Sequence, residues 1–303
     1  MTECERIIEQ GILPASFFEE EVQCDFVITK ERKKIWAIEL DLLEQFINVC
    51  EINKLKYFLI GGSLLGAIRH GGIIPWDDDI DVGMPREDYN RFLQLGNEFQ
   101  HPYFLQTPRT DKGYAYSYAK LRNSETTCLV PMFQYQGFNH GIFLDVFPYD
   151  KWKQEEGDDV FNRIHKLAYD NSTYMRLTNP FLSENNVERV RQWPGQNYIK
   201  VYDEIQRLAS SFKNDNTDKI AKVVFAFNLS QEIHNIKDYN ETLSMDFNHL
   251  RVRIPKGFDN ILKVYFGSDY MKYPPIEKRN GGHNSAIFDP DTSYIKYVSK
   301  FRK

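Results

Sequence analysis

The run from Gly61 to Val82 sets four aspartates, Asp77, Asp78, Asp79 and Asp81, among apolar neighbours shortly after a glycine-rich turn. Such a segment can be buried only if something offsets its charge. On an extended strand the side chains alternate faces, so Asp77, Asp79 and Asp81 are expected on one side, roughly 6.6 Å apart at about 3.3 Å rise per residue, with Asp78 on the other. Two carboxylates drawn together to about 4 Å repel by roughly 4 kcal/mol at an effective dielectric near 20. A set aimed at one point therefore predicts Mg²⁺ or Mn²⁺, oxygen-preferring cations that act on phosphates.

The residues ahead of the acids extend this expectation. Tyr57-Phe58-Leu59-Ile60 reads as a short buried strand and Ser63 to His70 as a helix. The first backbone N–H groups of a helix have no internal partner and form an anion site, here at Gly62 and Ser63. Strand, Gly-Gly-Ser turn, short helix, loop and an Asp-Ile-Asp strand follow the plan of the nucleotidyltransferase fold. A third acid is expected on a neighbouring strand, and Asp145 within Gly141 to Phe147 supplies it. A carboxylate flanked by apolar residues costs several kcal/mol without a partner, which a metal or a fixed base role would answer. Asp150, outside the apolar run, reads as a turn residue.

These residues carry a family resemblance. The run Phe58 to Arg91, centred on Arg69-His70-Gly71-Gly72-Ile73-Ile74-Pro75-Trp76-Asp77-Asp78-Asp79-Ile80-Asp81, resembles the signature of the LicD family. It continues through Ala119 to Arg122 and Leu144 to Asp150, and resumes at Arg253 to Asp259, Tyr265 to Gly267 and Tyr270 to Pro275. The resemblance implies transfer of a phospho-alcohol, phosphocholine first and ribitol or glycerol phosphate as alternatives. The donor would be CDP-choline or another CDP-alcohol, and the acceptor a glycan or lipid-linked oligosaccharide.

Length and composition agree with a soluble enzyme. The 303 residues suffice for one large or two modest domains. The N-terminus lacks a signal-peptide pattern and no stretch approaches the ~20 apolar residues of a membrane span, so a cytoplasmic location is expected. Cys4, Cys24, Cys50 and Cys128 are far apart, which predicts neither a zinc ribbon nor a disulfide framework. Residues 251–303 hold eleven Lys or Arg against five Asp or Glu, a net of +6, so residues 1–250 carry −11 of the total −5. The acidic body argues against nucleic acid as a partner. The basic segment is the expected point of peripheral contact with the inner face of the membrane or a lipid-linked acceptor.

The expected class is α+β: a nucleotidyltransferase-like mixed sheet flanked by helices, with a helical insertion and a C-terminal segment. The divisions are an N-terminal extension over 1–30, a catalytic core over 31–150, a helical acceptor-side region over 151–245, and a basic segment over 246–303 that completes the cleft. Helical periodicity predicts helices over 31–53 and 258–266, and Pro85 suits the first turn of one over 86–99. Asn179-Pro180 and Trp193-Pro194-Gly195 interrupt the helical middle. Tyr114 to Arg122 reads as a strand that puts Lys120 and Arg122 on one face, toward the phosphate-bearing cleft. Leu250 to Ile254 alternates like a strand, and Asn280 to Asn284 is a loop carrying His283.

Together these expectations describe in-line phosphoryl transfer. Asp79 and Asp81 are the expected metal ligands and catalytic acids, and Asp145 is a third ligand or the base for the attacking hydroxyl. Lys120, Arg122 and Arg69 would neutralise diphosphate charge, and Gly62, Ser63 and His283 would contact substrate. Asp77 is expected to orient the others. Trp76 is either one wall of a choline cage or a packing residue. Nucleotidyl transfer from an NTP and a non-catalytic carbohydrate-binding role are the competing readings.

Overall fold

A computed structural model describes residues 1–175, 197–226, 228–283 and 286–299. Helix α1 (Glu3–Glu9) starts at a Thr2 capping box. Strands β1 (Glu21–Gln23) and β2 (Phe26–Ile28) form a hairpin. Helix α2 (Lys30–Ile52) begins where the Thr29 side chain accepts the Arg32 N–H and buries Trp36, Leu40, Leu43 and Phe46, as its periodicity requires. β3 (Phe58–Leu59) leads into α3 (Gly61–His70), which Gly71 ends in the left-handed conformation at φ 67°. Then come β4 (Asp81–Pro85), α4 (Arg86–Phe92), β5 (Tyr103–Gln106), β6 (Ala119–Asn123), β7 (Thr127–Leu129) and β8 (Ile142–Trp152). The second half supplies α5 (Gln154–Tyr174), α6 (Tyr198–Ala209), β9 (Lys219–Ala221), α7 (Leu229–Glu232) and β10 (Ile233–Asn235). It closes with β11 (Thr242–Phe247), β12 (Leu250–Pro255), α8 (Phe258–Phe266), β13 (Ile287–Asp289) and α9 (Tyr294–Val298).

The main sheet runs β10-β9-β8-β4-β3, with β6 also on β8 and β5 on β6. Strand β8 organises it. Its first half lies parallel to β4, Asp81 beside Asp145, and antiparallel to β6, Lys120 beside Asp145. Its last residues pair with β9, Asp150 beside Ala221. Eleven residues of strand, all but Lys151 buried, thus span both sheet halves. This is the expected α+β, nucleotidyltransferase-like mixed sheet.

Several local expectations are corrected. The acidic strand starts only at Asp81; Asp77 and Asp79 lie in the loop before it, where the Asp77 N–H donates to the Ile74 carbonyl at 2.8 Å and makes a turn. The strand read from Tyr114 starts at Ala119, and the helix read over 86–99 ends at Phe92. The region 151–245 is not wholly helical, because β9 and β10 extend the main sheet and β11 pairs with β12. Asn179-Pro180 and Trp193-Pro194-Gly195 lie outside the described residues.

Asp150 is a buried residue of β8 and no turn. Its two carboxylate oxygens accept from the Arg86 guanidinium at 2.7 and 2.6 Å, and Arg86 also donates to Gln206 at 2.6 Å. This ties α4 and α6 to the sheet. Breaking one partner of a buried pair typically costs about 3–5 kcal/mol, because the other charge stays behind. Asp150→Asn is therefore expected to lower unfolding stability by about 3 kcal/mol in urea titration. An unchanged midpoint and slope would contradict this role.

Candidate active site

The site is assembled from strand register, a helix start and two loops. Parallel pairing of β4 and β8 sets Asp81 and Asp145 side by side, on strands about 4.8 Å apart. Lys120, opposite Asp145 on β6, donates its ammonium to the Asp145 carboxylate. The Ser63 hydroxyl, in the first turn of α3, accepts the Asp81 N–H at 2.8 Å and so fixes the strand start. A Cβ on Gly62 would lie 2.8 Å from Asp77 Oδ2, and one on Gly61 3.7 Å from Asp81 Oδ2. The glycine turn lets the helix start approach both carboxylates closely.

Helix α2 anchors the loop from behind. The Asp77 carbonyl accepts from the Arg32 guanidinium at 2.6 Å and from the Trp36 indole N–H at 3.1 Å. Asp78 holds the loop at 281–283. Its carboxylate accepts the Gly282 N–H at 3.0 Å and the His283 N–H at 3.2 Å, and its Oδ1 lies 3.2 Å from His283 Nδ1. Gly281 is required there, since a Cβ would fall 2.2 Å from Asp78 Oδ2. His283 also reaches within 3.9 Å of Asp79 Oδ2.

Two cavities meet at this loop. The first, about 620 Å³, is lined by Asp79, Asp81, Asp145, Lys120, Arg122 and His283, with Phe143 and Phe147 among its aromatic walls. The second, about 670 Å³, is lined by Gly62, Arg69, Trp76, Asp77, Asp79 and Tyr273 among others. Asp79 and Gly282 belong to both. Arg122 donates to Gln106 Oε1 and the Gly141 carbonyl and lies 5.1 Å from the Phe143 ring centre. Arg69 donates to the carbonyls of Tyr270 at 2.8 Å and Lys272 at 3.0 Å. The guanidinium groups of Arg69 and Arg279 sit 5.8 and 4.9 Å from the Trp76 ring centre. Sequence reasoning missed Lys222, on the wall of the first cavity, and Glu39, buried in α2 behind the acidic loop.

The electrostatics describe an over-acidic cluster. Burial, then Asp78 and Asp81, raise the Asp77 carboxyl from 3.8 to about 7. Burial, then Asp77, raise Asp79 from 3.8 to about 8. Burial, then Asp79 and Asp145, push Asp81 well up, with Lys222 and Lys120 opposing. Glu39 is pushed up by burial and by Asp79, Asp78 and Asp77, and its Oε2 has no hydrogen-bond partner among the described residues. Asp78 is held low despite burial, by His283.

This donor set fits a hard divalent cation. Ligand atoms of Asp77, Asp78 and Asp79 lie within 4.8 Å of one another. Asp78 is engaged by the 281–283 loop, which leaves Asp77 and Asp79 of that group, with Asp81 coupled to them by charge. Of the expected set of Asp79, Asp81 and Asp145, the third is shared with Lys120.

Comparison with known proteins agrees with the geometry. Residues 54–182 match the family model described as LicD/FKTN/FKRP, nucleotidyltransferase domain. The lipopolysaccharide cholinephosphotransferase LicD of Haemophilus influenzae is 28% identical over 251 residues, covering 80% of this chain and 92% of that protein. The human ribitol 5-phosphate transferase FKRP is 53% identical over 49 residues, 16% of this chain and 10% of its own length. Residues 54–182 thus resemble the nucleotidyltransferase domain of LicD- and fukutin-related proteins, and most of the chain is similar to a LicD cholinephosphotransferase.

A raised carboxyl pKa means that the folded state binds the proton more tightly than the unfolded one. The stability this confers is full below the unfolded value and is lost as pH climbs through the folded one. For Asp77 and Asp79 the window runs from 3.8 to about 7 and 8. In chelator, the wild-type Tm is expected to fall between pH 5 and pH 8 more steeply than that of Asp77→Asn/Asp79→Asn, and Mg²⁺ should restore it more at pH 8 than at pH 5. Identical pH slopes in scanning calorimetry would contradict the charge crowding.

Proposed function

We propose that this chain transfers a phospho-alcohol, phosphocholine foremost, from a CDP-alcohol to a hydroxyl of a glycan or its lipid-linked precursor and releases CMP. The observation that carries the reading is the meeting of Asp79, Asp81 and Asp145 with Lys120 and Arg122 in one cavity. Carboxylates for a metal beside cations for phosphate oxygens are what a charged diphosphate donor needs. Similarity to a cholinephosphotransferase over most of the chain favours choline over ribitol or glycerol.

In this reading Asp77, Asp79 and Asp81 would hold Mg²⁺ or Mn²⁺, which would offset diphosphate charge. The acceptor hydroxyl attacks the phosphorus that bears the alcohol, and the bond from that phosphorus to the CMP oxygen breaks. Asp145 takes the hydroxyl proton. Lys120 and Arg122 face the charge that grows on departing CMP. Arg69 and Gly62 border the second cavity, which meets the first at Asp79, and His283 and Ser63 hold the acidic loop and strand between the two. The acceptor is met at the inner membrane face through the basic C-terminal segment; no helix among the described residues is long and apolar enough to cross a membrane.

CDP-choline, CDP-ribitol, CDP-glycerol and CDP-ethanolamine, each supplied with glycan acceptor, are expected to differ in Mg²⁺-dependent CMP release, with CDP-choline fastest. Asp79→Asn and Asp81→Asn should each lower turnover by at least about 10²-fold, the scale of losing a transition-state charge partner, while the fold survives. Normal turnover in both folded variants would overturn the assignment.

A further inference from the structure

Lys222 follows β9 and is buried. It pairs with Glu232 Oε1 at 3.1 Å and donates to the Phe225 carbonyl at 3.1 Å. The other Glu232 oxygen accepts the Tyr265 hydroxyl at 2.6 Å, and the Tyr149 hydroxyl lies 3.4 Å from that of Tyr265. Glu232 is thus held from both sides, and its partner lysine is aimed by the fold.

The arrangement repeats that of Lys120. Phe143, Asp145 and Phe147 alternate along β8 and so share one face. The Lys120 ammonium lies 3.4 Å from the Phe143 ring centre, and that of Lys222 4.8 Å from the Phe147 ring centre. Each has a carboxylate beside it, Asp145 for Lys120 and Glu232 for Lys222. Two ammonium groups therefore flank Asp145 on the wall of the first cavity.

A buried ion pair is a poor way to gain stability, since apolar residues of similar volume are often as good or better. An ammonium has three donors, and among the described residues Glu232 and Phe225 engage two of them. We infer that Lys222 is an anion-binding side chain of the first cavity, donating to a phosphate oxygen of a phosphorylated ligand on the side of Asp145 opposite Lys120. This rests on the phosphoryl-transfer reading of the same cavity and adds a binding residue to it.

The test uses inorganic pyrophosphate with Mg²⁺ as the probe, titrated calorimetrically into the full chain. Lys222→Met/Glu232→Gln removes both charges together and leaves no unpaired buried ion, so the fold should persist by circular dichroism and thermal melt. Affinity in this double variant should fall about ten-fold, the loss of roughly one charge-assisted hydrogen bond, and Lys222→Arg/Glu232 wild type should retain most of it. Unchanged affinity in the folded double variant, or wild type that binds no pyrophosphate, overturns the inference. Wild type that binds pyrophosphate in a Lys222-dependent way, yet releases no CMP from any CDP-alcohol, supports the anion site and overturns the proposed reaction instead.

Discussion

The parallel pairing of β4 with β8 is the contact on which the site depends. It sets Asp81 against Asp145 in the middle of the sheet, where burial and the neighbouring Asp79 and Asp145 carboxylates push the Asp81 carboxyl well up. The surrounding structure reads as the response to that one juxtaposition. Lys120 comes from the far side of β8 to pair with Asp145, Ser63 pins the Asp81 backbone, and α2 holds the Asp77 carbonyl through Arg32 and Trp36. Charge still exceeds what these groups offset, as the upward shifts at Asp77, Asp79, Asp81 and Glu39 record.

The acidic loop is also a partition. Asp79 faces both cavities, and the 281–283 loop, fastened to Asp78, lies beside it. One cavity pairs its acids with buried lysines and an arginine over phenylalanine rings. In the other, Arg69 lies over the Trp76 and Tyr273 rings and binds backbone carbonyls.

Much of this was legible where the signal is local. The periodicity of α2 and the apolar run of α8 marked both helices, and Asp145 stood out as a charge inside an apolar strand. Long-range pairing was not legible. Asp150 reads as a turn residue because it lies outside the apolar run, yet β8 runs on through it, and the partner that keeps Asp150 buried, Arg86, lies 64 positions away. Asp77 and Asp79 satisfy strand alternation, but the turn at Ile74 to Asp77 takes them off the strand. Lys222 has no local mark at all: its role comes from Glu232, Phe147 and the sheet order, which joins β9 to β8 only in the folded chain.

The direction of bond cleavage tests the account most directly. Two samples of CDP-choline, one labelled on choline and one on cytidine, are supplied with acceptor glycan and Mg²⁺, and label retained on the glycan is counted. Attack at the phosphorus bearing the alcohol puts choline label on the glycan and leaves cytidine label in free CMP. Cytidine label on the glycan, or pyrophosphate formed from CTP and acceptor without any CDP-alcohol, would contradict it and establish nucleotidyl transfer.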